Sequence, residues 1–240
     1  MAATAARIAD TAASAPMPAP AHRAAQPDDQ IVLLDHADWS DYERLLEIRG
    51  ESAVPRLTFI DGVLELMTPS RYHEFDKTTL GRLIEAWALE MDLAIAGFGS
   101  WTIKSTLAKR GAEPDECYLL EPIETESSRP DIAIEVVRTS GGLNKLEVYR
   151  ALEVPEVWFW QQERLQFYGL EGEQYQRLQR SGKLPQLDPA LIESCMGAPT
   201  QTEAIRKLSG INSGRPSKRS PLVSIFKIEA RDKGPHFVAS

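Results

Sequence analysis

Residues 131–137, Asp-Ile-Ala-Ile-Glu-Val-Val, constrain this chain more than any other stretch. A β-branched run of this kind reads as a central strand buried on both faces. On a regular strand Asp131, Ala133, Glu135 and Val137 share one face, and Ile132, Ile134 and Val136 share the other. Glu135 therefore stands inside a buried strand, where a carboxylate is costly unless it is paired or ligates a cation. Any fold of this chain must bring a partner to that face.

The flanking text supplies a strand–helix–strand unit. Ser140-Gly141-Gly142 breaks the strand, and residues 143–152 suit a helix with Leu146 and Tyr149 inward. Pro155 ends that helix before the apolar run Val157–Trp160. A right-handed crossover would make the two strands parallel. Upstream, Ser40-Asp41-Tyr42-Glu43 reads as a capping box opening a helix that stops at Gly50. Residues 57–67 (LTFI-DG-VLELM) read as a hairpin whose Asp61-Gly62 pair suits a type I′ turn. Ser70 then caps a longer helix, with Leu80, Leu83, Ile84, Trp87 and Met91 at helical spacing. Residues 93–97 and 100–104 read as strands, Lys109-Arg110-Gly111 as a turn, and 117–120 as a strand entered through Pro114-Asp115. Strands at 165–168 and 174–179 and helices at 185–196 and 201–208 follow; no docking place is read for the apolar run Leu222–Ile228. The order predicts an α+β fold, α/β-like in its crossover, with a mixed sheet flanked by helices.

Three segments are expected. Residues 1–29, rich in Ala and Pro with few large apolar groups, read as a disordered tail without the apolar core of a secretory signal. Residues 30–208 form the domain, and 209–240 a basic, weakly structured end. The formal net charge of -8 is uneven: residues 181–240 sum to +4 and the rest to -12. High non-specific affinity for DNA is therefore not expected. No apolar run approaches the ~20 residues of a membrane span. The widely separated Cys117 and Cys195 form no zinc or disulfide pattern, which fits a cytoplasmic protein.

Asp115, Glu135 and Lys145 are the residues with chemistry to offer. Mg²⁺ takes oxygen ligands, often one or two carboxylates plus water and substrate phosphate. Asp115 and Glu135 could supply the carboxylates, with a strand carbonyl such as that of Val136 as a third oxygen. A bound metal would lower the pKa of a water and offset charge developing at phosphorus, and Lys145 could orient that water or stabilise the phosphate. The alternative reading makes Glu135 and Lys145 a structural ion pair and Asp115 a turn residue. His73, in a first helical turn, reads as a solvated or capping residue, or else a phosphate or metal contact. Glu65 reads as an exposed strand glutamate or one reaching a cleft, and Asp131 as a neighbour of Glu135 on its strand face. No P-loop, GxGxxG, GxSxG, HExxH or zinc-finger spacing is present.

Four pieces in order, DGVLELMTPSRYHEF, EPDECY, RPDIAIEVV and KLEVYRALEVPEVWFW, resemble the Uma2 family of restriction-endonuclease-like proteins with the PD-(D/E)XK nuclease fold. With their flanks they span roughly Trp39 to Ile192. The resemblance implies a mixed sheet flanked by helices and a Mg²⁺-dependent (or Mn²⁺-dependent) endonuclease acting on DNA. It makes Asp115 and Glu135 the metal carboxylates, with Lys145 as the catalytic lysine. The superfamily's usual lysine position, two residues after the acid, is Val137 here. Many Uma2 members likewise carry the lysine on the next helix, with a tyrosine one turn later, as Lys145 and Tyr149 do. The connection 138–144 also departs from the family's common Ser-Pro-Ser-Thr form and lacks its aspartate. A homodimer would suit cutting both strands of a duplex. The competing expectation is a module that kept the fold, lost catalysis, and binds DNA or protein.

Overall fold

The computed structural model describes residues 28–120 and 127–212. The run Leu222–Ile228 falls outside these residues. In chain order the elements are β1 (Gln30–Asp35), α1 (Trp39–Arg49), β2 (Arg56–Ile60), β3 (Val63–Thr68), α2 (Arg71–Glu90), β4 (Ala96–Gly97), β5 (Ile103–Ser105), β6 (Arg110–Ala112), β7 (Glu116–Leu119), β8 (Ile132–Val137), α3 (Lys145–Ala151), β9 (Glu156–Gln161), β10 (Arg164–Glu171), β11 (Gln174–Leu178), α4 (Pro189–Met196) and α5 (Gln201–Asn212). The fold is α+β, with two sheets rather than the single sheet expected.

The first sheet has the order β1-β3-β2-β6-β5 and is antiparallel throughout. Asp61 and Gly62, both at positive φ, turn β2 into β3 and set Ile60 opposite Val63 and Thr58 opposite Glu65. The second sheet has the order β11-β10-β9-β8-β7-β4. Its β8 and β9 run parallel across the α3 crossover, as the sequence predicts, and its other pairs are antiparallel.

Strand β8 separates two apolar layers. Ile132, Ile134 and Val136 face a core built with α2, α4, α5 and the buried Trp158 and Trp87. Ala133 faces a second core with Val157, Val148, Tyr149, Ile103 and Ala112, between the sheets and α3. Glu135 shares that second face, so it points toward the first sheet. A smaller cluster packs α1 through Tyr42 on Leu57, Phe59 and Leu64 of the β2–β3 hairpin.

Several local expectations are corrected. Helix α1 is capped by Asp38, whose side chain accepts from the Asp41 N–H at 3.0 Å while Asp41 accepts from the Asp38 N–H at 2.8 Å. Ser40 instead donates to Asp38 at 2.6 Å. An aspartate serves as N-cap as well as serine does, and the earlier start brings Trp39 against Phe59. The strands expected at 93–97 and 100–104 shrink to Ala96–Gly97 and Ile103–Ser105, and Arg110 and Gly111 belong to β6 rather than to a turn. Asp29, placed by the sequence at the last position of the tail, is buried.

Candidate active site

A cavity of about 310 Å³ lies between the two sheets, and its lining includes Arg56, Glu65, Asp115, Glu135 and Lys145. Asp115 comes from the residue before β7, Glu135 from β8 and Lys145 from the first position of α3. Antiparallel pairing of β7 with β8 puts Glu116 opposite Ile134, and the Asp115 N–H donates to the Ile134 carbonyl at 3.0 Å. The two acids are thus held on adjacent strands by backbone register.

The Asp115 carboxylate is heavily bonded. Its Oδ2 accepts from the Val136 N–H at 2.6 Å. Its Oδ1 accepts from Arg56 and lies 2.9 Å from His73 Nε2. Burial alone would raise this acid, but the Arg56 guanidinium, His73 and the Val136 amide outweigh it and hold it down at about 2. His73, 0% exposed, has Nδ1 3.0 Å from Asp29 Oδ2. Burial opposes its charge, yet the two flanking carboxylates raise it to about 9, so both ring nitrogens donate. Asp29 also accepts from the Ser70 N–H at 2.8 Å, and its own N–H donates to Thr139 at 2.9 Å.

Glu135 is poorly satisfied by comparison. It is 7% exposed, and among the described residues only the Tyr149 hydroxyl donates to it, at 2.5 Å. Burial raises the acid; Lys145 opposes that rise, the nearby Asp115 adds to it, and the result is about 7. Two other buried glutamates show what satisfaction looks like. Glu113 takes both arms of Arg49 and the Leu57 N–H, and Glu156 takes the Trp158 indole N–H with the Gly182 and Lys183 N–H groups. Of these three glutamates, Glu135 is the one with an oxygen left over and a cavity in front of it.

Lys145 reaches the first sheet rather than Glu135. Its Nζ lies 2.8 Å from Glu65 Oε1 and donates to Thr58 Oγ1 at 2.6 Å. Burial acts against its charge, but Glu135 and Glu65 more than compensate and raise it. Glu65, read from the sequence as either exposed or reaching a cleft, is 2% exposed, lines the cavity and also accepts the Leu143 N–H at 2.7 Å. It thereby ties the Gly141-Gly142 connection to β3. A Cβ on Gly142 would stand 2.5 Å from Glu65 Oε2, so a larger residue there requires the Glu65 carboxylate or the connection to shift.

Of the sequence-derived residues, Asp115, Glu135, Lys145 and Glu65 line the one cavity. His73 stands behind Asp115 and carries no cavity surface of its own. Asp131 is elsewhere: it accepts from the Leu120 N–H at 2.9 Å and from Lys183 at 3.0 Å. Arg56, Thr58 and Asp29 were not read from the sequence. The hairpin register carried a signal for two of them, because Arg56 and Thr58 are polar positions two apart on a strand that is otherwise apolar.

The donor set suits a hard divalent cation in kind, with two carboxylates and an oxygen of Glu135 that has no hydrogen-bond partner among the described residues. Among the described residues, no three or more His, Cys, Asp or Glu side chains are grouped to hold a metal ion. Any ion here would depend on two carboxylates, and on Asp115 it would meet Arg56.

Residues 39–197 match the Uma2 family, described as "Putative restriction endonuclease". The chain belongs to the Uma2 family. Among solved structures it is similar to a protein from Anabaena variabilis, titled a putative nuclease belonging to DUF820, at 12% identity and a TM-score of 0.43. That match covers 70% of this chain and 98% of the other. Comparison with curated proteins gives no match. No helix among the described residues of this Uma2 protein is long and apolar enough to cross a membrane.

Proposed function

We propose that this Uma2 protein is a divalent-metal-dependent endonuclease that hydrolyses DNA phosphodiesters. The observation that carries the reading is the convergence of Asp115, Glu135 and Lys145, from three separate elements, on one cavity. Asp115 and Glu135 would hold Mg²⁺ or Mn²⁺, which when bound would acidify a water and offset charge at the phosphate. Asp115 is kept ionised by its donors and Glu135 keeps an oxygen toward the cavity. Lys145 remains an ammonium, fixed by Glu65 and Thr58, and offers N–H donors to a phosphate oxygen or a water. Tyr149 fixes the orientation of Glu135.

The experiment is cleavage of supercoiled plasmid with Mg²⁺ or Mn²⁺. Asp115→Asn should lower the nicking rate by about 10³-fold or more, and Lys145→Ala by about 10²–10³-fold, with unchanged far-UV circular dichroism. Wild-type protein that neither binds a divalent cation nor nicks DNA sinks the proposal. One observation favours a second reading, a module that kept the fold without catalysis: Arg56 already bonds the Asp115 carboxylate. The same assay separates the two.

A further inference from the structure

Several buried acids around the cavity serve to anchor a neighbouring cation. Glu65 anchors Lys145, Asp29 anchors His73, and Glu113 anchors Arg49. Arg56 is different. Its Nη1 occupies Asp115 Oδ1, the oxygen that a cation on Asp115 would compete for. Its Nη2 lies 3.0 Å from Glu74 Oε1 and its Nε donates to Ser100 at 3.1 Å. The side chain is 5% exposed but lines the cavity. Glu74, by contrast, is 42% exposed, so its hold on Arg56 is screened by solvent.

Arg56 and His73 already meet at Asp115 Oδ1, and a further cation on that oxygen would be a third positive charge there. A divalent ion at Asp115 would stand beside the guanidinium, with the His73 imidazolium on the same oxygen. Charge repulsion at that distance is large even with the effective dielectric of a protein surface. The cost falls if an anion takes over the guanidinium. A phosphodiester is the natural candidate, because arginine presents a planar fork of N–H donors matched to phosphate oxygens. Glu74 and Ser100 would keep Nη2 and Nε in place while Nη1 changed partner.

We infer that Arg56 is the phosphate-binding residue of this site and makes metal binding depend on DNA: the backbone phosphate draws Arg56 off Asp115, and the divalent ion takes the oxygen released. The inference rests on the endonuclease reading and adds an order of binding to it. Linkage makes the effect reciprocal, so the ion must tighten DNA binding by the same factor that DNA tightens the ion.

The test measures binding, not cleavage. Ca²⁺ takes oxygen ligands as Mg²⁺ does and serves as the probe ion. Its affinity for the full chain is measured by calorimetry with and without a saturating short DNA duplex. The same titrations on Asp115→Asn subtract Ca²⁺ bound by the duplex alone. The expected result is at least tenfold tighter Ca²⁺ binding with duplex present. Arg56→Gln should bind Ca²⁺ without DNA at least tenfold more tightly than wild type, and should show little further gain from duplex. Equal wild-type affinities with and without duplex overturn the inference while leaving Asp115 as a metal ligand. No Ca²⁺ binding dependent on Asp115 in either condition overturns the endonuclease reading and this inference together. Should Arg56→Gln not fold, the wild-type comparison decides alone. In its support, the duplex affinity measured by fluorescence anisotropy must rise on adding Ca²⁺ by the same factor.

Discussion

Buried acids in this chain differ in what surrounds them, and that difference marks the site better than burial does. Glu113 and Glu156 are saturated with donors, Asp115 is saturated with cations, and Glu135 has one hydroxyl. The sequence exposed Glu135 because an acid interrupts a β-branched run. It did not expose Asp29 or Arg56, whose importance comes from contacts spanning 44 and 59 residues. Two predictions belong at this scale. His73 has its folded pKa raised from 6.5 to about 9, so its charge stabilises the fold fully below pH 6.5. That contribution is lost as pH rises from 6.5 to 9. The stability difference between wild type and His73→Gln, from urea unfolding, should therefore shrink by on the order of 2–3 kcal/mol between pH 6 and pH 9.5, the pH values bracketing that window. A difference that stays constant with pH would mean that folding does not shift the His73 pKa. Gly142→Ala tests the Glu65 contact. With only 2.5 Å between the new Cβ and Glu65 Oε2, the Glu65 carboxylate or the connection must shift, at a cost of about 1–3 kcal/mol. Because Leu143 and Lys145 both bond Glu65, slower amine labelling of Lys145 in wild type than in the variant should accompany the loss.

Among the elements, legibility followed local chemistry. The Asp61-Gly62 hairpin, the Ser70 cap and the parallel crossover through α3 were readable because turn residues, caps and apolar runs are encoded nearby. Strand β1 was not, since most of its residues are exposed, Val32 at 52% and Leu34 at 43%, and it gains its place only by pairing with β3. The division into two sheets was equally invisible, because strand pairing is non-local and β4, β5 and β6 are only two or three residues long. The α1 cap was misread because Asp38 and Ser40 are both good N-caps and only tertiary packing of Trp39 decides between them. The strand that the sequence marked most strongly should also be the most costly to weaken. Ile134, fully buried between α2 and Trp158, should lose about 2–5 kcal/mol as Ile134→Ala. Chemical denaturation would read this directly, and a loss below about 1 kcal/mol would show that the core around β8 is loosely packed.

At the scale of the whole molecule, the packed unit is longer than its family match. The match ends at residue 197, yet α5 runs from Gln201 to Asn212 and returns to the core. Ala204 and Leu208, four apart and both 0% exposed, lie on one helical face and join the cluster that holds Leu80, Leu83, Ile84 and Trp87 of α2. That cluster also backs Ile132, Ile134 and Val136, so α5 supports the outer face of the strand whose inner face carries Glu135. Support of this kind acts on stability without touching the cavity. Leu208→Ala should cost about 2–5 kcal/mol in unfolding free energy. Leu208→Asp should cost more, because it buries a carboxylate with no described partner beside α2. In either variant that remains folded, the Ca²⁺ affinity proposed for Asp115 should be unchanged, since no α5 residue lines the cavity. A Leu208→Ala protein as stable as wild type would show that α5 is an ornament on a domain complete without it. Loss of Ca²⁺ binding without loss of stability would show that the helix reaches the site through β8.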